Sequence, residues 1–210
     1  MKIVSIALAA TLGLATAGYA GGITVPAADP EVTMTEPMAT GADWGGFYAG
    51  ATYGIGIGGD MEYDPGFIYG SLEPGSSYGA FAGYNIQRNN LVYGGEIAYS
   101  RVDVPGFGAS GFPDENFDYF IDGKARVGYA MNNVLVYGFA GYSWSNFLGF
   151  TNSWEVSGLN YGVGADVMFG ENLFVGAEFI VRNLSGETNN PGQIHTTNIQ
   201  AAQLRAGWKF

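Results

Sequence analysis

The stretch LNYGVGADVMFGENLFVGAEFIVR, Leu159 to Arg182, decides how the rest of the chain is read. Its first half alternates Leu159, Tyr161, Val163, Ala165, Val167 and Phe169 with Asn160, Gly162, Gly164, Asp166 and Met168. After the break Gly170-Glu171-Asn172 the alternation resumes. Leu173, Val175, Ala177, Phe179 and Val181 fall on one face, and Phe174, Gly176, Glu178, Ile180 and Arg182 on the other. A period of two marks a β-strand, whose successive side chains leave opposite sides of the pleat. Two such runs joined by a short Gly/Asn turn predict a hairpin. Each run is about ten residues long, enough to cross a bilayer at a tilt of about 45°. One face is apolar and aromatic, as lipid requires; the other is mostly small, polar or charged, as a lumen requires. The hairpin is expected to belong to a transmembrane barrel.

Composition points the same way. Among 210 residues there are 35 Gly, 14 Tyr, 14 Phe and 4 Trp, with only 13% charged. So much glycine without aromatics would suggest disorder; with them it suits a narrow barrel, Gly where the interior is crowded and rings at the membrane interfaces. The absence of Cys excludes a disulfide scaffold, a lipid-anchored N-terminal Cys and any thiolate metal site or nucleophile. A net charge of −11 argues against nucleic acid as a partner. No cofactor and no metal are expected.

Residues 1–20 carry Lys2, an apolar run from Ile3 to Ala17, and the small-x-small endings Ala15-Thr16-Ala17 and Gly18-Tyr19-Ala20. They are expected to be a signal peptide. Residues 21–43 have prolines, acids and no alternation, and are expected to form a flexible periplasmic extension. From Trp44 to Phe210 strands are expected over about Gly46–Gly58, Ser77–Gln87, Leu91–Asp103, Phe117–Ala130 and Val134–Ser145. The two hairpin strands follow, and a closing strand ends at Phe210 with Leu204, Ala206, Trp208 and Phe210 outward. In the fifth strand both faces are apolar, and the facing is left open. Short turns (88–90, 131–133, 170–172) alternate with long loops (59–76, 104–116, 146–153, 183–195). That rhythm predicts an all-β fold, an eight-stranded antiparallel up-and-down transmembrane barrel with its loops on one side. Closure follows because lipid cannot solvate an open strand edge. A soluble eight-stranded barrel would put the apolar face inside and the charges outside, the reverse of the pattern here.

The run Trp44-Gly45-Gly46-Phe47-Tyr48-Ala49-Gly50 resembles the opening of the small bacterial outer-membrane β-barrel family. That family includes opacity-type surface antigens and the 25–31-kDa-class outer-membrane proteins of α-proteobacteria, and is distantly similar to the OmpA transmembrane domain. Gly83-Tyr84-Asn85, Glu96 in YGGEIAYS, Arg126-Val127-Gly128-Tyr129 and Glu178 in VGAEF resemble its strand motifs. The resemblance covers Trp44–Phe210 and implies a cell outer membrane location, without naming a function. Trp208 and Phe210 resemble the C-terminal assembly signal of such barrels, although Arg205 stands where a Gly is usual. The resemblance thus implies the barrel assembly machinery, outer-membrane lipid and lipopolysaccharide as partners.

The inward parity assembles a lumen network of Glu96, Asp118, Asp122, Asp166 and Glu178 with Lys124, Arg126, Arg182, Arg205 and Lys209. Charges inside so narrow a barrel must pair. The network is expected to fill the lumen as salt bridges; the alternative is a narrow path for ions or small solutes through rearranged pairs. The loops hold uncompensated acids, among them Asp60, Glu62, Asp64, Glu73, Glu155 and Glu187. Asp60-x-Glu62-x-Asp64 has the start of a calcium loop, but Pro65 and Ser71 break the pattern. Loop aromatics such as Phe147 and Trp154 are expected to pack over the barrel mouth, with a surface receptor or matrix as the other reading. A lipid-modifying enzyme would need a Ser beside a His. The one His, His195, has no spacing motif with Ser100, Ser143 or Ser185 and is expected to be solvated. No catalytic residue is assigned.

Overall fold

A computed structural model of the chain describes residues 41–63, 68–103, 116–149, 152–188 and 192–210. The expected signal peptide and nearly all of the expected extension lie outside these residues, as do Asp64, Pro65 and most of the second long loop. The described strands are β1 (Gly46–Tyr63), β2 (Ile68–Ser71), β3 (Ser76–Arg88), β4 (Leu91–Asp103), β5 (Asn116–Met131), β6 (Val134–Leu148), β7 (Ser153–Phe169), β8 (Leu173–Glu187) and β9 (Ile194–Lys209). All neighbours are antiparallel, and β1 pairs with β9 from Tyr48↔Lys209 to Tyr63↔His195, so β1 and β3–β9 close an eight-stranded barrel. The short β2 lies outside that count; it pairs with the far end of β1 through Asp60↔Ser71.

The tight turns are set by residues that tolerate left-handed backbone. Asn89 has φ 53°, Asn132 φ 54° and Gly170 φ 68°, a conformation open to Gly and, among the rest, most readily to Asn. At the other end the strands outrun expectation. β8 continues to Glu187 where a loop was expected from residue 183, and β7 begins at Ser153. These strands have 15 and 17 residues, more than the about ten a bilayer needs.

The two faces differ as the alternation predicts. Ile97, Val163 and Leu204 point outward with 61%, 60% and 65% of their surface exposed, a level around the whole wall that only lipid can cover. The facing of β6 is resolved: Leu135, Tyr137 and Phe139 are buried inside, while Val136, Tyr142 and Trp144 are outside. Inward glycines sit directly across from large rings: Gly162 pairs with Phe139, Gly164 with Tyr137 and Gly207 with Phe174. A Cβ on any of these glycines would collide with the facing ring. At these positions the lumen therefore packs a ring on one strand over a bare backbone on the next, which explains these three glycines.

Candidate functional site: the barrel lumen

Five strands deliver charge to one level of the lumen. Glu96 comes from β4, Lys124 and Arg126 from β5, Asp166 from β7, Glu178 from β8 and Arg205 from β9; each has 6% or less of its surface exposed. Arg126 Nη1 lies 2.8 Å from Glu96 Oε2, and its Nη2 3.2 Å from Asp166 Oδ2. Arg205 Nη2 lies 2.7 Å from Glu96 Oε2 and its Nη1 2.9 Å from Glu178 Oε2. Arg205 Nε sits 3.3 Å from Asp166 Oδ1, an ion pair without hydrogen-bond alignment. Lys124 Nζ bridges Glu178 and Glu96, the latter at 3.3 Å. Cations and anions balance, which is what keeps so many buried charges tolerable.

Two phenols complete this layer, and alternation could not have flagged them because Tyr counts as apolar in a periodicity reading. Tyr48 Oη donates to Glu96 Oε2 at 3.0 Å and accepts from Arg126 Nη1 at 2.6 Å. Tyr137 Oη donates to Glu178 Oε2 at 3.2 Å. The cations also stack on rings: Arg126 lies 3.9 Å from the centre of Tyr137 and Arg205 4.1 Å from that of Phe81.

One layer nearer the long loops, Arg182 grips Asp122 through two contacts of 2.9 and 2.6 Å, the bidentate geometry guanidinium favours. Ser143 Oγ donates to Asp122 at 2.6 Å, and Asn160 Nδ2 donates to Ser143 at 2.8 Å. Ser143, Asn160 and the two tyrosines thus belong to the lumen network, although an inward count of charges alone does not place them there.

Two expected members are elsewhere. Asp118 does not reach the lumen: the β5–β6 register slips between Phe117 and Phe120. The irregularity turns Asp118 away from the lumen, half-exposed and 3.8 Å from the exposed Arg101. Lys209 keeps inward parity but lies at the end of β9, where its Nζ meets Asp43 Oδ2 at 2.9 Å rather than the central network.

Rings flank the charged layers on both sides. Toward the turns Trp44, Tyr48, Phe81 and Phe174 cluster with centroids about 6.0–6.1 Å apart. A void of about 10 Å³ beneath Trp44 touches Asp166 and Arg126, room for about one water molecule. Toward the loops Phe117 packs 5.4 Å from Phe120 and 5.0 Å from Phe147. Phe147 and Trp154 both turn inward here, as mouth packing requires. His195 is not solvated, contrary to expectation. It opens β9 on the inward face, fully buried, 4.7 Å from the Phe147 ring. Trp154 Nε1 donates to its Nδ1 at 3.0 Å, so Nε2 carries the proton and faces Thr197 Oγ1 at 2.7 Å.

A closed antiparallel barrel with an apolar belt and a paired, charged interior defines an integral membrane protein of the outer-membrane kind. The chain belongs to the outer membrane protein beta-barrel domain family, which matches residues 7–210. It is 34% identical over 137 residues to a 22 kDa outer membrane protein of Rhizobium leguminosarum bv. viciae, covering 62% of this chain and 59% of that one. The chain thus spans about three fifths of the length of that relative. It is 28% identical over 192 residues to the 25 kDa outer-membrane immunogenic protein of Brucella canis, covering 86% of each. The solved Neisserial surface protein A shares the fold at a TM-score of 0.50, with 20% identity over 78% of this chain and 97% of that one. The protein is located in the bacterial cell outer membrane.

Proposed function

We propose that the protein is a surface anchor: a barrel with a filled, non-conducting lumen that holds its long loops outside the cell and its tight turns in the periplasm. The observation that carries this is the stacking of two paired charge layers between two ring clusters, with every ion held by fixed partners. Water or an ion moving through would have to break ion pairs in a low-dielectric interior, where an uncompensated charge is heavily penalised. On this reading residues 1–20 are a signal peptide, residues 21–43 a periplasmic extension, and Trp208 and Phe210 contacts for the barrel assembly machinery. Outer-leaflet lipid and lipopolysaccharide surround the wall, and the loops meet a surface receptor or matrix. A catalytic role has no support from the single histidine, whose ring nitrogens engage Trp154 and Thr197 rather than a serine.

The second reading, a narrow ion path, draws on one feature: Lys124 and Arg205 each contact both Glu96 and Glu178. A cation shared between two carboxylates has an alternative partner ready when one pair opens. Conductance of the refolded protein in a planar bilayer separates the two. A silent bilayer containing heat-modifiable, folded barrel is expected; discrete, reproducible steps that change on Lys124→Gln would replace the anchor by a pore.

A further inference from the structure

Above the lipid-facing belt the outer wall changes character on three adjacent strands. On β9 the outward series passes from Leu204 to Gln200, Asn198 and Thr196; on β8 from Phe179 to Asn183 and Ser185. Asn183 pairs with Asn198 and Ser185 with Thr196 across the β8–β9 ladder. On the next strand Ser157 lies across from Ser185. These side chains form a flat carpet of amides and hydroxyls on a rigid sheet. Asn198 Nδ2 donates to Asn183 Oδ1, and Gln200 Nε2 donates to Asn198 Oδ1 at 3.3 Å. An amide has two donor hydrogens and two acceptor lone pairs, so these internal bonds orient the groups while leaving most of their capacity turned outward.

Depth and charge narrow the partner. From Gln200 to Thr196 the tilted strand rises roughly 10 Å, which is the headgroup layer directly over the hydrocarbon. Among the described residues this face carries no Lys or Arg. Its border on β1 is acidic, with Asp60 across from Asn198 and Glu62 across from Thr196. The outward Arg101 is on β4, away from this face, and sits beside Asp118. A phosphate would meet acids and no cation here. A sugar hydroxyl, at once donor and acceptor, would meet matching amides and carboxylates.

We propose that this β8–β9 face binds the core-sugar hydroxyls of outer-leaflet lipopolysaccharide, next to the lipid contact of the belt below it. The inference rests on the proposed orientation, with the long-loop end outside the cell.

The test uses the full chain refolded into phosphatidylcholine vesicles alone, with lipid A lacking core sugars, or with rough lipopolysaccharide carrying core sugars. The readout is the temperature at which the folded gel form is lost. Core-bearing lipopolysaccharide should raise that temperature above both other vesicles, equally with and without EDTA. The Asn183→Ala/Asn198→Ala/Gln200→Ala variant should match the parent in phosphatidylcholine and lose at least half of the rise. An equal rise with lipid A, a rise abolished by EDTA, or a full rise in the variant would overturn the proposal. Orientation is read separately from Glu187→Cys, the only thiol in a chain without cysteine. Labelling by an impermeant maleimide on intact cells supports the outward orientation, so that a missing sugar response then overturns the inference alone. Labelling only after lysis overturns the orientation and the inference with it.

Discussion

Glu96 of β4 and Arg205 of β9 meet inside the barrel although 109 residues separate them, with Arg205 Nη2 2.7 Å and Nη1 3.3 Å from the two carboxylate oxygens. Glu96 also receives Arg126, Lys124 and Tyr48, so it is the anion most cations in the lumen depend on. Glu96→Gln keeps the shape and removes the charge, leaving an excess cation in a dry interior. It should destabilise the barrel by about 3–5 kcal/mol. The solvated pair Arg101–Asp118 should contribute no more than about 1 kcal/mol when Arg101 is replaced by Gln. Urea midpoints in phospholipid vesicles check both; equal effects would mean that the lumen is wetter than its burial implies.

Val163 tests the wall. It stands halfway along β7 and faces away from the lumen beside Phe179. Val163→Arg should cost roughly 2–4 kcal/mol by placing a cation near the bilayer midplane. The expected result is a loss of heat-modifiable protein in membranes, with the same chain still expressed. Ser157→Arg, on the same strand and same face but at headgroup height, should assemble normally. If Val163→Arg assembles as well as Ser157→Arg, the belt has been placed wrongly along the strand.

The alternation of β7 and β8 was enough to name which side of each residue meets lipid, because alternate side chains of a regular strand cannot share a face. It failed where the strand is not regular. Asp118 lies within the slipped register of β5, and counting by twos through a slip assigns the wrong face. Parity also says nothing of height along the axis, so it groups Lys209 with the lumen cations although it sits at the rim with Asp43. Tyr48 and Tyr137 were hidden by chemistry rather than geometry: their rings read as apolar while their hydroxyls join the ion network. Residues 183–187 and 194–195 read as loop because nothing in their polarity distinguishes a strand above the membrane from a connection. The burial of His195 followed from that missed extension of β9.

Phe210 joins the two ends of the barrel wall. Its backbone N–H donates to the Phe47 carbonyl at 2.9 Å, while its ring points outward, 76% exposed. The ring thus contributes little packing inside the barrel and is free to be read by an assembly partner. Phe210→Ala should leave the unfolding midpoint of protein refolded in detergent within about 0.5 kcal/mol of the parent. It should lower the amount of heat-modifiable barrel recovered from cell membranes several-fold. Normal recovery in cells would remove Phe210 from the assembly signal; a large loss of stability in detergent would make its role one of packing.

His195 supplies the pH dependence. It lies beyond Gln200, Asn198 and Thr196 on β9, past the lipid-facing belt, and burial pushes its pKa down from 6.5 to about 4. Phe147, Trp154 and Thr197, which contact the ring, are uncharged, and the indole N–H aimed at Nδ1 opposes a second ring proton. The fold therefore favours the neutral ring. Its contribution is fully present above the unfolded value of 6.5 and is lost as pH falls toward 4, on the order of 3 kcal/mol across that window. Because the chain has one histidine, its imidazole resonance in detergent micelles can be followed without assignment. A titration midpoint near 4 is expected, with loosening of the Phe147–Trp154 cluster below it and no such transition in His195→Gln. A midpoint at 6.5 would show the ring to be solvated and the cluster at the loop end to be open.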